Sequence, residues 1–208
     1  MTIDNLLSWK DHVDVLSTKL NKACYAIRSI KPLLSTDTLR MIYFSYVHSI
    51  MLYVIIFGGN SHLINSVFKI QKRIIRIITN TGSRDSCREL FKQLQILTLP
   101  SQYIFSILVF VNGNSDLFQL NSEIHDLNTR YNSNLHLPFT HLTLVQKGVH
   151  YSGSKIYNHL PSSIKALSKH TKLFKLRLKR FLTEYSFYSL NEFFQLKTMI
   201  KLNANCLR

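Results

Sequence analysis

The chain reads as mainly α: a helical bundle, then a loop-rich segment with short strands, then a basic C-terminal helix. Three observations predict this. Apolar residues recur at helical spacing over most of the 208 residues. Residues that start and stop helices bracket those stretches. Hydrophobic content of 46% and a mean hydropathy of +0.02 argue against global disorder. At this length the chain can bury a core as one domain or two small ones.

The first helix begins where Ser8 and Asp11 resemble a capping box, with Asp in place of the usual Glu. Val13, Leu16, Leu20, Cys24, Ile27 and Ile30 then form its apolar stripe, and Pro32 stops it. Lys10, Lys19, Lys22 and Arg28 lie off the stripe, so the outer side is basic. A second helix, capped by Ser35, is expected from about Thr36 to Phe57, closed by Gly58 and Gly59. Its half from Tyr43 to Phe57 holds no Asp, Glu, Lys or Arg. Burial in a bundle explains that, and a membrane span is the alternative. The stretch falls short of the ~20 residues that a bilayer needs, which favours burial.

The third helix, Leu63 to Asn80, is the clearest. Val67, Ile70, Ile74, Ile77 and Ile78 share one broad face, and Lys69, Lys72, Arg73 and Arg76 fall opposite at ~100° per residue. No acid interrupts it, unlike an ordinary solvated face that alternates signs. Four cations over about two turns can meet successive phosphates. Gly82 ends the segment. Ser86 and Glu89 form a capping box ahead of a short helix with Leu90, Phe91 and Leu94, and Pro100 opens another apolar helix to Val111.

From Asn112 to Ser115 the composition turns to Asn and Gly, marking the expected boundary. The organisation is therefore a helical region 1–112, a loop-rich linker 113–161 and a basic amphipathic tail 162–208. Partial alternation from Leu135 to Tyr151 predicts short strands or extended arms. In the tail, Ile164, Leu167, Phe174, Leu178, Phe181 and Tyr185 form a stripe. Lys165, Lys169, Lys172, Lys175, Lys179 and Arg180 cover most of the rest.

Lys and Arg number 26 against 11 Asp and Glu, a net charge of +15. An excess of that size repels itself until an anion neutralises it, and nucleic acid is the commonest such anion. An anionic membrane surface is the runner-up. Cys24, Cys87 and Cys206 are too far apart for a disulfide framework or zinc knuckle. Residues Met1 to Trp9 carry no secretory signal pattern. The sequence implies no cofactor. His136, His141 and His150 are the nearest approach to a metal cluster, and their spacing reads as incidental. The aspartates are isolated, so the paired carboxylates that a polymerase uses to hold metal ions are missing. Hydrolase and NTPase motifs are missing too. The chain alone is predicted to be catalytically inactive.

One ordered string stands apart: Gly148, Tyr151, Gly153, Ile156, Tyr157, Asn158, Leu160, Pro161, Ile164 and Lys165, leading to Phe174, Lys175, Leu178 and Lys179. It resembles the C-terminal tail of non-LTR (LINE-type, jockey-like) retrotransposon reverse transcriptases. The similarity extends through Ile3-Asp4, Leu7, Ser8-Trp9-Lys10 and His12, through Leu52-Tyr53 to Ser61, through Gln71-Lys72-Arg73 with Arg76, and through Leu97 to Gln102. Val54 departs from a common glycine of that family, and Gly58 from a common tryptophan. The resemblance implies a thumb-like region over about 1–112 that grips template-primer RNA/DNA by its backbone. Met1 would lie just past the palm of a parent polyprotein, whose palm and fingers become expected partners. The residues expected to meet phosphate are Lys69, Lys72, Arg73, Arg76, Lys172, Lys175, Lys179 and Arg180. Gly153 and Pro161 are expected to shape a turn into the last helix. Two other readings stand beside this one: a membrane-associated protein spanning at 43–57, and a remnant of a mobile element without function.

Overall fold

The computed structural model describes residues 10–52, 55, 64–124 and 131–196. They are mainly α, as the periodicity predicts, and form two compact units that divide between Leu99 and Pro100. The compositional shift at Asn112 to Ser115 thus falls inside the second unit.

In the first unit, α1 (Lys10–Ile30) buries Val13, Leu16, Leu20, Ala23, Cys24 and Ile27, the expected stripe. Its Ser8 start lies outside the described residues. Pro32 sits in a 3-10 turn, Lys31–Leu33. Ser35 caps α2 (Thr36–Ile42) by accepting the Thr38 N–H at 3.3 Å. The helix then widens into a π-helical run, Tyr43–His48, before α3 (Ser49–Leu52). The widening has a cause in the sequence. Leu39, Tyr43, Val47, Met51 and Ile55 are all buried at a strict spacing of four. An α-helix advances such a stripe by ~40° per step. A stretch of wider π turns counters that drift and keeps the residues on one face. Of the uncharged segment Tyr43 to Phe57, residues 53, 54, 56 and 57 lie outside the described residues, as does the Gly58-Gly59 stop. Among the described residues no helix is long and apolar enough to cross a membrane.

Helix α4 (Ile64–Thr79) packs on α1. Its end is set by Asn80, in the left-handed region at φ 59°. The Thr81 N–H donates to Arg76 O at 3.1 Å and the Asn80 N–H to Ile77 O at 3.4 Å, a Schellman closure that ends the helix ahead of Gly82. The capping box expected at Ser86 and Glu89 does not form. Cys87 occupies the cap of α5 (Arg88–Gln93), and Glu89 instead meets the Lys92 ammonium at 2.8 Å. A charge-assisted bond along the helix outcompetes a return to a neutral N–H.

Helix α6 (Leu99–Gly113) opens the second unit, with Pro100 in its first turn. It is followed by a 3-10 turn (Ser115–Leu117), α7 (Asn121–Ile124), α8 (Thr143–Lys147), α9 (Val149–His159), α10 (Ser162–Lys165) and α11 (Thr171–Tyr185). The strands expected between Leu135 and Tyr151 are absent among the described residues. One isolated antiparallel bridge joins Leu120 to Leu135, and α8 and α9 occupy the rest. The reason lies in Asn158. Its side-chain amide donates to Leu135 O at 2.8 Å and accepts the Leu135 N–H at 2.9 Å. One side chain therefore supplies the pairing that a neighbouring strand would have supplied.

Gly153 is also corrected. It lies within α9, buried, where a Cβ would come 2.8 Å from Val111 Cγ2. It serves close packing of α9 on α6, not a turn. Pro161 does stand at a turn, between the end of α9 and α10. The tail helix is broken at 166–170 rather than continuous. Its buried stripe is Phe174, Leu178 and Leu182, while Phe181 and Tyr185 are half-buried and join an aromatic cluster with Phe187.

Candidate nucleic-acid interface

The cationic face of α4 follows from its sequence. Val67, Ile70, Ile74 and Ile78 bury one side together with Gln71. Lys69 and Arg73 are thereby forced outward and are exposed, with Lys72 and Arg76 half-buried beside them. Gln71, one of the residues that carry the family resemblance, points into the core. Its Nε2 donates to Tyr43 Oη at 2.8 Å and to Leu97 O at 3.0 Å, and its Oε1 accepts the Leu99 N–H at 2.9 Å.

Helices α1 and α4 run in the same direction. Arg28 near the end of α1 and Arg76 near the end of α4 face one groove, and Lys31 Nζ is bonded to Asn80 Oδ1 just beyond both ends. The groove has a volume of about 550 Å³ and is lined by Arg28, Lys31, Lys69, Lys72, Arg73 and Arg76, with Ile77, Asn80, Thr81 and Ser83. No carboxylate is among the lining residues. Sequence reasoning found four of the six cations. It missed Arg28 and Lys31 as partners of α4, because only the packing of α1 on α4 brings them there. The available signal was Arg28 lying off the stripe of α1.

Parallel helix ends offer an explanation for some of this charge. Each C-terminus carries about half a negative charge, so two together hold roughly one cation's worth. Six cations exceed that by roughly five charges, and Lys69 lies well before the last turn. Within α4, Lys69–Lys72, Lys69–Arg73, Lys72–Arg76 and Arg73–Arg76 are like-charge neighbours. Together they cost about 1–2 kcal/mol at ordinary helix-surface values. An external anion relieves that cost.

The groups are not equally free to meet one. Arg76 is braced: its Nε and Nη2 donate to Asp85 O at 3.1 and 2.7 Å. Lys72 Nζ lies 4.8 Å from the Phe68 ring centroid. Beneath the groove two buried thiols feel the same field. Burial pushes the Cys24 thiol up, partly offset by Arg73 and Arg28. Burial likewise pushes Cys87 up, offset by Arg76 and Lys72 against the opposing influence of Asp85.

The second predicted set lies in the other unit. Lys172, Lys175, Lys179 and Arg180 are all exposed on α11. Lys172, Lys175 and Lys179 share one flank, and Arg180 sits ~100° further round the helix than Lys179. Lys165, counted with them in the sequence, turns inward: Nζ bonds to Asn134 Oδ1 at 3.2 Å and Asn158 O at 3.0 Å. The string around Gly153 and Asn158 therefore performs packing and clamping. Of the three clustered histidines, His150 stacks on Phe118 with centroids 4.9 Å apart. Among the described residues no group of three His, Cys, Asp or Glu side chains is placed to hold a metal ion.

Comparison with known protein families, curated proteins and solved structures returns no match to this chain.

Proposed function

We propose that this chain binds the sugar–phosphate backbone of nucleic acid without base specificity, as the thumb and post-thumb part of a non-LTR retrotransposon reverse transcriptase. The observation that carries the reading is the groove of unit 1, where six cations converge with no lining carboxylate. Phosphate contact needs only charge and reach, and it gives affinity without sequence preference. The exposed cations of α11 offer a second backbone contact. The parent palm and fingers are the protein partners that the family resemblance implies.

The test is equilibrium binding of a fluorescent oligonucleotide across a salt series. If about six phosphates are neutralised, log K falls against log salt with a slope near −4 to −5. Doubly substituted Lys69→Gln/Arg73→Gln protein is expected to show a shallower slope, by about 1.5 to 2. Affinity that ignores salt, or no binding at low salt, rejects the reading.

A further inference from the structure

Beside the groove stands an aromatic side chain that backbone binding does not use. Tyr25 on α1 is 75% exposed and lies three residues before Arg28, a groove-lining cation. Residues three apart on a helix are neighbours on one flank, about 5–6 Å apart at Cβ. Helical side chains also lean toward the N-terminus, so the Tyr25 ring covers the turn ahead of Arg28 rather than the groove floor. Tyr25 does not line the cleft itself, and helical spacing to Arg28 sets its ring just outside the lining residues. Among the described residues the Tyr25 side chain has no ring contact or hydrogen bond.

The size of the cleft limits what enters it. About 550 Å³ of open groove has room for a short stretch of one backbone. One backbone can lie along Lys69, Arg73 and Arg76, a run of about 10 Å on the helix axis. A strand held that way turns its bases outward. Proteins that bind single strands pair such a charged track with an aromatic ring on which a base stacks. Bases within a duplex are paired and stacked already, so a lone rim tyrosine gains little from them.

We infer that the groove takes a single-stranded segment, with its phosphates along α4 and one base stacked on Tyr25. This rests on the backbone-binding reading and adds to it a strand preference and a stacking residue. Tyr25 is exposed, so replacing it leaves the core intact.

The experiment measures binding of three probes of about twelve nucleotides: oligothymidylate, an abasic single strand of the same length, and a duplex. Wild type, Tyr25→Ala and Tyr25→Trp proteins are compared at one salt concentration. Tyr25→Ala is expected to lower oligothymidylate affinity by about five- to a hundred-fold. Tyr25→Trp retains it, and the abasic strand binds all three proteins alike. Wild-type protein binds oligothymidylate more tightly than duplex. Salt-dependent binding that Tyr25→Ala leaves unchanged, or a preference for duplex, overturns the stacking inference and spares the backbone reading. Failure of wild type to bind any probe overturns both.

Discussion

The amide of Gln71 and the phenol of Tyr43, 28 positions apart in the chain, meet inside the first unit at 2.8 Å. The same Gln71 amide also bonds to Leu97 O and the Leu99 N–H, so one side chain joins α4, the π-helical run and the Leu97–Leu99 segment within that unit. All of this is buried, where a polar group without a partner costs about 1–3 kcal/mol. Burial also holds the Tyr43 hydroxyl well above the ordinary tyrosine range, the Gln71 bond offsetting part of the rise.

Gln71→Leu strands three groups at once and is expected to destabilise the protein by about 3–5 kcal/mol. Tyr43→Phe removes one bond and leaves Gln71 its Leu97 contact, costing about 1 kcal/mol. Urea denaturation of both variants checks the ratio. Equal losses would show that the three bonds do not act through Gln71.

Gly153→Ala is expected to destabilise by about 1–3 kcal/mol through overpacking. Alanine is the better helix former by about 1 kcal/mol, so helix propensity alone predicts the opposite sign. The close approach of 2.8 Å to Val111 Cγ2 decides which wins. Adding Val111→Ala to Gly153→Ala should recover part of the loss in thermal melts.

Asn158→Asp keeps an acceptor for the Leu135 N–H and sets a carboxylate against Leu135 O, where an amide donor had been. A loss of about 2–3 kcal/mol is expected, with faster hydrogen exchange at the Leu135 amide. Protection of that amide equal to wild type would show that the clamp is not what holds the segment.

Stability and binding should respond in opposite directions at the groove. Arg73→Gln removes two like-charge neighbours on α4 and is expected to leave stability equal or raise it by up to about 0.5–1 kcal/mol. Nucleic-acid affinity should fall in the same protein. A residue kept for folding would show the reverse, so paired melting and binding measurements separate the two roles.

Alkali should act through Tyr103. Burial pushes its pKa up to about 12; the Ser152 hydroxyl lowers it only in part, being committed to Gln146 O at 2.9 Å. An unfolded tyrosine ionises near 10, so the native state retains the proton more tightly. The contribution is fully present below pH ~10 and is lost as pH rises toward 12, at up to ~1.4 kcal/mol per unit. Tyr103→Phe should flatten this part of the profile in denaturation series from neutral to alkaline pH.

What the sequence disclosed divides along physical lines. The stripes of α1 and α4 were legible because each helix buries one side, and period then reports burial directly. The end of α4 near Asn80 was read as well, but its cause was not, since an asparagine in the left-handed region looks like any other polar residue until its hydrogen bonds are known. Four groove cations could be read from α4 alone. Arg28 and Lys31 could not, because their place depends on which way α1 runs against α4. Gly153 misled for a related reason: glycine serves turns and close packing alike, and only the position of Val111 distinguishes them.

The π-helical run carries a consequence for length. Leu39, Tyr43 and Val47 remain in register with Met51 and Ile55 because Tyr43–His48 holds wider turns than its flanks. Removing a single residue there would let an ordinary α-helix close with Met51 and Ile55 still facing the core, whereas removing one from the α-helical turns beside it would swing everything downstream by ~100°. The run holds about one residue more than an α-helix needs over the same span, so its length has slack that its flanks lack. A one-codon deletion within Tyr43–His48 should be tolerated where the same deletion in α2 is not.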